Sequence, residues 1–292
     1  MKANLTSSDK VIITAAITGG IHGKWANEAI PITAEEQARD ALDCYNAGAA
    51  VLHLHVRGPD GQNTPDIGTY NESVRMIGEA CPIIRQIGNG IGAWVDEKLN
   101  IIQPTLEQRL DLLTIDPKPE MHTINAGTFE FRTPYGSGTF NNPLAFNEQY
   151  AGQCHNMGFG IEIEVYDLSH VDHALELADK GVLTPPLHFS IVLGIMGGAP
   201  ATADNLMRML DAIPEGSTWQ VVTISKFHVP TTVMAMAMGG NVRTGLEDTI
   251  YYQKGEKAKG NAQLVERMVR LARELGREPA TVEEARTMLG LE

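Results

Sequence analysis

Cysteine is scarce in this sequence: the only three residues, Cys44, Cys81 and Cys154, are spread over 292 positions. None lies close enough to another to form the C-x-x-C pattern of a thiolate metal site or a redox centre. An odd and widely spaced set also argues against a disulfide framework. We therefore predict a protein of the reducing cytoplasm, in which any metal site uses ligands other than thiolates.

Long apolar segments and an excess of basic residues are missing as well. No apolar run approaches the roughly 20 residues of a membrane helix, and the polar start, MKANLTSSDK, does not resemble a signal peptide. The chain has 23 Lys and Arg against 36 Asp and Glu, a net charge of −13. This balance argues against nucleic acid or an anionic membrane as the main partner. We expect a soluble protein that binds small molecules.

What the sequence does contain is a regular alternation of strand and helix patterns. The strand-like runs are residues 11–18, 50–57, 83–87, 121–125, 161–166, 188–193, 219–224 and 240–243. Helical patterns separate them at residues 33–47, 70–80, 105–113, 143–157, 169–180, 203–213 and 231–238, and two more follow at 261–275 and 282–289. Apolar strands that alternate with helices are typical of a parallel sheet, and eight such units in this length predict a closed (β/α)₈ TIM barrel. We predict a single domain over residues 1–292, with an extra C-terminal helix.

The most informative local pattern is a pair of histidines in the second strand-like run, residues 51–57 (VLHLHVR). Side chains alternate along a strand, so His53, His55 and Arg57 share one face and the apolar residues between them share the other. In a barrel the histidines then point into the lumen, whose C-terminal mouth holds the active site. Two imidazoles so placed can bind one zinc ion. The alternative is a pair of core histidines satisfied by hydrogen bonds.

A catalytic zinc site takes a third protein ligand, and two acidic pairs are candidates. Glu162 and Glu164 share one face of the fifth strand-like run, where buried carboxylates are costly unless they are paired or bound to a metal. A solvated rim or a salt bridge explains them equally well. Glu247 and Asp248 follow the glycine-flanked run at residues 239–245, which also contains Arg243. On sequence alone, this second pair is typical of an ordinary polar turn.

Weaker candidates lie at other strand ends. His22 follows the first strand, Thr123 and Asn125 belong to the fourth, and Gly88 opens the glycine-rich run GNGIG after the third. A second glycine-rich run, GIMGG at residues 194–198, follows the sixth strand. Neither run has the spacing of a dinucleotide or Walker motif, and no G-x-S-x-G motif of a serine hydrolase is present.

Four ordered motifs together resemble the β-keto acid cleavage enzyme family. They are residues 13–19 (ITAAITG), 48–57 (GAAVLHLHVR), 125–128 (NAGT) and 240–248 (GNVRTGLED). The resemblance extends from about residue 11 to the final helix, so it is far more specific than a lone His-x-His pattern.

The resemblance implies a function and a set of roles. It implies a zinc ion held by His53, His55 and Glu247, with Asp248 as general base. Arg243 would orient that base or stabilise negative charge, and Glu164 would support both. The implied reaction condenses a β-keto acid with acetyl-CoA and releases acetoacetate and a new acyl-CoA. Members of the family are typically homotetramers.

Two departures from the family member that acts on 3-keto-5-aminohexanoate bear on the substrate. That enzyme has a glutamate after its first strand for the substrate's amine, where this sequence has Ile21 and His22, and it has a serine where this sequence has Gly88. Without the acid, a cationic substrate loses its ion-pair partner. We predict a β-keto acid with a less cationic or more apolar tail, bound with help from His22, Gly88, Thr123 and Asn125.

Two other functions remain open at the level of sequence. A divalent-metal TIM-barrel aldolase or hydrolase would use the same histidines and would not need CoA. A non-catalytic ligand-binding barrel would tolerate alanine at Asp248 and Arg243, whereas an enzyme would lose rate by orders of magnitude.

Overall fold

The computed structural model describes residues 9–96, 100–133 and 136–291. The N-terminal residues 1–8, where the sequence predicts no signal peptide, lie outside the described residues. In the described part of the chain, no helix is both long and apolar enough to cross a membrane.

Eight parallel strands close into a barrel in chain order. They are β1 (Ile13–Thr18), β2 (Val51–Leu54), β3 (Ile84–Ile87), β4 (Met121–Asn125), β5 (Gly160–Val165), β6 (His188–Leu193), β7 (Thr218–Thr223) and β8 (Asn241–Thr244). Each strand pairs with the next, and pairing of β8 with β1 closes the ring. The predicted TIM barrel is confirmed.

Nine α-helices surround the strands in the described residues. They are α1 (Ala34–Ala47), α2 (Ile67–Ala80), α3 (Leu106–Asp111), α4 (Leu144–Met157), α5 (Leu168–Asp179), α6 (Ala203–Ala212), α7 (His228–Ala237), α8 (Asn261–Glu274) and α9 (Val282–Leu289). Capping residues in the sequence determine where several of these helices begin and end. Thr33 and Glu36 form a capping box at α1, and Gly48 ends that helix in the left-handed conformation.

The two faces of the barrel strands have different roles. Leu52 and Leu54 of β2 belong to the apolar layer between the barrel and its helices, together with Ala41 of α1 and Ile77 of α2. The opposite face points into the lumen, as the alternation of side chains predicts. The histidine of this strand therefore lies inside the barrel.

The extra helix α9 closes the N-terminal end of the barrel. Its Val282 and Ala285 pack against Ile12, Ile84 and Met121 at the start of the strands. Nearby, the short strand Lys10–Val11 pairs with Glu278–Pro279. The sequence predicts one strand over residues 11–18; the structure divides it into this short strand and β1. Because α9 covers the N-terminal end of the barrel, ligands can enter the lumen at the C-terminal end.

Three antiparallel hairpins in loops were not predicted from the sequence. The strands of the first are Trp94–Val95 and Ile101–Ile102, of the second Phe129–Thr133 and Gly136–Phe140, and of the third Tyr251–Gln253 and Glu256–Lys257. The second hairpin follows β4 and contacts the loop after β6, where the backbone N–H of Arg132 donates to the carbonyl of Met196 over 3.0 Å. It forms part of the wall of the barrel mouth.

Candidate active site

The two histidines of the second strand meet at the barrel mouth. The strand ends at Leu54, earlier than predicted, so His53 is the last lumen-facing residue of β2 and His55 lies just beyond it. Both side chains are buried, and their Nε2 atoms are 3.2 Å apart. Burial lowers the pKa of His53 and lowers that of His55 to about 3. Both rings are therefore neutral near pH 7, the state in which imidazole binds a metal.

Glu247 reaches the histidines from the segment after β8. Its Oε1 lies 3.8 Å from Nε2 of each ring. Two glycines make this approach possible. Gly245 has a φ of +148°, and a Cβ there would lie 2.0 Å from the carbonyl oxygen of Ala16. A Cβ on Gly19 would lie 2.3 Å from Cγ of Glu247.

These three residues are suited to hold a divalent cation. One ligand atom from each lies within 4.8 Å of the others. The second oxygen of Glu247, Oε2, is buried and has no hydrogen-bond partner among the described residues. Such an orphaned carboxylate oxygen beside two neutral imidazoles is costly without a cation. Two histidines and one carboxylate also match the donor set of known catalytic zinc sites.

His53 is oriented by a buried glutamine on the neighbouring strand. The Nδ1 atom of His53 lies 2.7 Å from Oε1 of Gln86, and Nε2 of Gln86 donates to Oε2 of Glu162 over 3.0 Å. The carboxylate accepts only, so the amide nitrogen of Gln86 faces Glu162 and its oxygen faces His53. His53 then carries its proton on Nδ1, which leaves the Nε2 lone pair free for a metal.

Glu162 is the centre of this interior network. Besides Gln86, its Oε2 accepts a bond from Gln220 over 2.9 Å and lies 3.2 Å from Nε2 of His188. Burial alone would raise its pKa, but these partners lower the pKa to about 2. Glu162 is therefore a charged, positioned acceptor deep in the barrel and lies behind the three candidate ligands.

Arg243 of β8 gathers three carboxylates around one guanidinium group. It donates to both oxygens of Asp248, over 3.1 and 2.9 Å, to Oε1 of Glu247 over 2.6 Å and to Oε1 of Glu164 over 3.2 Å. The four side chains come from β5, β8 and the loop after β8, so the hydrogen bonds of Arg243 connect parts of the barrel that are distant in sequence. It also places Asp248 directly beside Glu247.

The three carboxylates around Arg243 can carry more negative charge than one guanidinium neutralises. Burial raises the pKa of Asp248 to about 6 and that of Glu164 to about 7, although Arg243 opposes both shifts. In Glu247, Arg243 and the histidines outweigh burial and lower the pKa to about 2. If all three carboxylates are ionised, one guanidinium leaves two negative charges unpaired, which is the charge of one divalent ion.

A second network extends from Glu164 to the third and fourth strands. The hydroxyl of Tyr166 lies 2.8 Å from Oε2 of Glu164 and 2.9 Å from Oδ1 of Asn125. The amide nitrogen of Asn125 donates to Oδ1 of Asn89 over 2.5 Å. Thr123 accepts a bond from the backbone N–H of Asn89 over 3.2 Å. Both residues predicted on β4 therefore belong to the polar lining of the lumen.

Gly88 lies beside the histidine pair, and His22 lies in the segment after β1. A Cβ at Gly88 would be 2.5 Å from Nε2 of His55 and 2.9 Å from Nε2 of His53, so the glycine keeps the space beside the rings clear. His22 is half-buried after β1, and its carbonyl accepts a bond from Arg57 over 2.8 Å. Burial and the nearby Arg57 lower the pKa of His22.

The sequence predicts most residues of this site, but it does not indicate Gln86, Gln220 or Tyr166. It places Arg57 on the same face as the histidines without a further role; in the structure Arg57 binds the carbonyls of Gly19 and His22. A signal existed for Gln86, which is a polar residue between apolar neighbours in β3. Tyr166 gave a weaker signal, as a tyrosine just past the end of β5.

Comparison with known proteins finds relatives over nearly the whole chain. The sequence model of the family described as beta-keto acid cleavage enzyme matches residues 10–291. A 3-keto-5-aminohexanoate cleavage enzyme of Fusobacterium nucleatum is 41% identical over 284 residues, which cover 97% of this chain and 98% of the relative. The enzyme of the same name from Acetoanaerobium sticklandii is 39% identical, covering 97% and 99%. A 3-dehydrocarnitine:acetyl-CoA trimethylamine transferase of Rhizobium meliloti is 30% identical, covering 98% of each chain.

Solved structures support the fold. The complex described as ObcA with a C4-CoA adduct and oxalate has a TM-score of 0.72 at 20% identity, covering 90% of this chain and 68% of that one. At this identity the likeness concerns the barrel alone.

The family membership of the chain follows from its sequence. The family model matches nearly the whole chain, and two relatives are 39–41% identical to it. The chain belongs to the β-keto acid cleavage enzyme family.

Proposed function

We propose that the protein is a zinc-dependent transferase that condenses a β-keto acid with acetyl-CoA and releases acetoacetate and a new acyl-CoA. The observation that carries this proposal is the group of His53, His55 and Glu247 directly beside the Arg243–Asp248 pair. The relatives whose names include acetyl-CoA support the choice of co-substrate.

The metal would be held by Nε2 of His53, Nε2 of His55 and a carboxylate oxygen of Glu247. When bound, the ion supplies a Lewis acid that polarises the keto oxygen of the substrate and makes the adjacent C–H more acidic. Three protein ligands leave a position for substrate, as in other catalytic zinc sites. Gly88 keeps the approach to this position free of side-chain atoms.

Asp248 removes the proton from the carbon between the keto and carboxylate groups. Arg243 holds both carboxylate oxygens of Asp248 and so fixes the base relative to Glu247. Burial brings the pKa of Asp248 to about 6, which makes it a stronger base than an exposed aspartate. Glu164 accepts a bond from the same guanidinium over 3.2 Å, and the Tyr166 hydroxyl lies 2.8 Å from Glu164.

In the proposed reaction, each bond that forms is matched by one that breaks, so no redox cofactor is needed. The substrate carbanion attacks the thioester carbonyl of acetyl-CoA, a C–C bond forms, and the CoA thiolate leaves. The thiolate then attacks the original keto carbon, and the bond between that carbon and its neighbour breaks. The electron pair of the broken bond returns as the enolate of acetoacetate, which takes back the proton held by Asp248. The acyl part of the substrate leaves as its CoA ester.

For the substrate we propose a β-keto acid whose tail is less cationic or more apolar than that of 3-keto-5-aminohexanoate. His22 occupies the region after β1, and its neighbour is the guanidinium of Arg57, 2.8 Å from the His22 carbonyl. An ammonium group placed there would face a cation instead of a carboxylate. Because two relatives are named for 3-keto-5-aminohexanoate, that acid is the natural comparison substrate.

A substrate panel tests the proposal directly. Purified protein with zinc is incubated with amino, quaternary-ammonium, carboxylated and alkyl β-keto acids, with and without acetyl-CoA, and acetoacetate is measured. We expect release only with acetyl-CoA and a higher kcat/KM for uncharged tails. Cleavage at equal rate without acetyl-CoA would indicate a metal-dependent aldolase or hydrolase instead. A clear preference for the 5-amino acid would overturn the proposed tail.

We further propose a cytoplasmic homotetramer. Three free, buried cysteines are compatible with a reducing compartment. Ile21, Trp25 and Ile101 are large apolar side chains with more than half of their surface exposed, which suits contacts between subunits. Light scattering on a size-exclusion column should give a mass of four chains; a monomer would contradict this assembly.

A further inference from the structure

Arg109 of α3 is a buried arginine that has no role in the chemistry described so far. Only 2% of it is exposed, and all its hydrogen bonds in the described part of the chain end on oxygen atoms of asparagines. Nε donates to the backbone carbonyl of Asn89 over 2.8 Å, and Nη2 donates to the side-chain oxygen of the same residue over 3.1 Å. Nη1 donates to the carbonyl of Asn141 over 2.8 Å, and Nη2 also donates to the side-chain oxygen of Asn142 over 2.7 Å. Burying a guanidinium among neutral acceptors is costly, and such costs are concentrated at functional sites.

The guanidinium of Arg109 sets the direction of the hydrogen bonds between the loop after β3 and the lumen. Because a guanidinium only donates, the atom of Asn89 that faces Nη2 must be the amide oxygen. The same oxygen lies 2.5 Å from the side-chain nitrogen of Asn125, which donates to it. The amide oxygen of Asn125 then faces the Tyr166 hydroxyl at 2.9 Å. Without Arg109, the Asn89 amide could turn over and exchange its nitrogen and oxygen.

This orientation leaves one donor of the Asn89 amide unused. Its side-chain nitrogen, Nδ2, is buried and has no hydrogen-bond partner among the described residues. The residue itself is held at the wall of the lumen: its backbone N–H donates to the hydroxyl of Thr123 over 3.2 Å, and Thr123 and Asn125 lie on the opposite face of β4 from Ile124, which belongs to the outer apolar layer. Buried amide N–H groups are nearly always paired in folded proteins. Nδ2 of Asn89 is therefore a fixed donor that suits an acceptor oxygen of a ligand.

Arg109 also attaches this loop to the end of the hairpin after β4. Its partner Asn142 is held in turn by that hairpin, because the side-chain nitrogen of Asn142 donates to the carbonyl of Phe140 over 3.2 Å and the backbone N–H of Asn142 donates to the Thr128 hydroxyl over 2.7 Å. The loop and the hairpin also pack closely, since a Cβ at Gly90 would lie 2.8 Å from the Phe140 ring. The Asn89 amide is thus held by two elements of the barrel mouth through one guanidinium.

We propose that Arg109 is a positioning residue for the β-keto acid, which acts by presenting the side-chain N–H of Asn89 to an oxygen atom of that substrate. The inference rests on the proposed function, since a β-keto acid supplies the acceptor oxygen. Gly88, the neighbour of Asn89, borders the rings of His53 and His55, so a molecule that accepts this bond lies beside two candidate metal ligands.

The charge of Arg109 strengthens the same bond. Burial lowers the pKa of Arg109 to about 10, so the guanidinium is charged near pH 7. A positive group that draws on the amide oxygen of Asn89 makes the N–H at the other end of the amide a better donor, because hydrogen bonds in a chain polarise one another. Arg109 therefore favours an anionic or strongly polarised oxygen of the substrate without touching it.

Two variants and their combination test this role. Asn89→Asp keeps an oxygen for Arg109 and Asn125 but replaces the free N–H by an acceptor, and Arg109→Met removes the guanidinium at similar size. With 3-oxohexanoate as the probe, we expect the KM for the β-keto acid to rise about tenfold or more in N89D and about fivefold in R109M, with the KM for acetyl-CoA and the zinc content unchanged. Because Arg109 acts through Asn89, the double variant should be no worse than N89D, and Arg109→Lys should recover part of the loss. Isothermal titration with 3-oxohexanoate in the absence of acetyl-CoA should show the same order of affinities without turnover.

Arg277→Met controls for the loss of a buried guanidinium. Arg277 is also buried and donates to backbone carbonyls, those of Met236 and Gly240, but it lies before β8 at the other end of the barrel, so R277M should keep the KM of the wild type. Wild-type KM values in N89D and R109M, or losses that add in the double variant, would overturn the inference, while acetyl-CoA-dependent cleavage by the wild type would leave the proposed function standing. A wild type that cleaves no β-keto acid would contradict the proposed function and the inference together. Should R109M not fold, N89D and R109K decide by the same criterion.

Discussion

The imidazole of His53 and the amide of Gln86 form a 2.7 Å hydrogen bond whose direction is set by a third residue, Glu162. This relationship connects the deep interior of the barrel to its mouth. Because Glu162 accepts from the amide nitrogen of Gln86, only the amide oxygen is available to His53. The ring therefore exposes an Nε2 lone pair on the side of His55 and Glu247.

The first prediction concerns this positioning role. Gln86→Leu should lower zinc affinity about 10- to 100-fold, because His53 loses the partner that fixes its tautomer and orientation. Competition with a chromophoric chelator measures the affinity. Gln220→Leu is the matched control: Gln220 also donates to Glu162 but makes no contact with His53, so zinc affinity should stay near that of the wild type. Equal losses in both variants would contradict a specific role for Gln86.

The second prediction separates proton transfer from metal binding. Asp248→Asn should lower kcat by about 10²–10⁴, because the amide cannot accept the substrate proton. Its zinc content should remain that of the wild type, since Asp248 is not one of the three candidate ligands. A variant that keeps both zinc and more than a tenth of the activity would remove Asp248 from the role of base.

The third prediction concerns Tyr166. Tyr166→Phe removes the hydroxyl that lies within hydrogen-bond distance of both Glu164 and Asn125, so Glu164 should be held less firmly against Arg243. We expect kcat to fall about tenfold, equivalent to about 1.4 kcal/mol, with little change in KM for the β-keto acid. Tyr150→Phe is the control, because that hydroxyl is hydrogen-bonded to His122 and is not part of the group. Steady-state kinetics of both variants decides the matter.

The fold explains how much of this site could be predicted from sequence. Strand alternation is a local property, so the sequence alone predicts that His53 and His55 lie together on the side of the strand that faces the lumen. Glu247 and Asp248 follow the glycine-flanked run and are typical of a polar turn on sequence alone; only the family resemblance assigns them a role. The Gln86–Glu162 bond joins residues 76 positions apart, and no periodicity within either strand indicates such a pair.

The sequence predicts the helices and barrel strands better than the segments whose structure depends on distant contacts. Apolar runs and caps such as Thr33 predict α1 and six of the eight barrel strands to within one residue at each end. The predicted second strand ran to Arg57, but pairing stops at Leu54 because the chain beyond it turns to bind loop carbonyls at the mouth. The hairpin after β4 was missed since its contacts, such as that of Arg132 with Met196, are made with a distant loop.

The fourth prediction is a pH dependence of stability that originates in α1. Burial raises the pKa of Asp40 to about 7, although Asn261 donates to it over 2.6 Å. An exposed aspartate titrates near about 3.9. Between these values the folded state binds a proton that the unfolded state does not, so stability falls as pH rises from about 4 to about 7.

Asp40→Asn removes this penalty and should keep the bond from Asn261. We expect D40N to be more stable than the wild type by on the order of 1–2 kcal/mol at pH 8, with a smaller difference at pH 5. Urea unfolding at several pH values measures the trend. Asp111→Asn removes the same charge from an exposed position and should show no comparable trend. A D40N advantage that grows toward acid pH would contradict the argument.

The proposed chemistry depends above all on the metal content of the protein. Inductively coupled plasma mass spectrometry of the wild type should give about one zinc ion per chain, and His55→Ala and Glu247→Ala should each lose most of it while remaining folded. Chelation should abolish acetoacetate release, and added zinc should restore it. Wild-type protein that releases acetoacetate at full rate with no bound divalent metal would contradict the account.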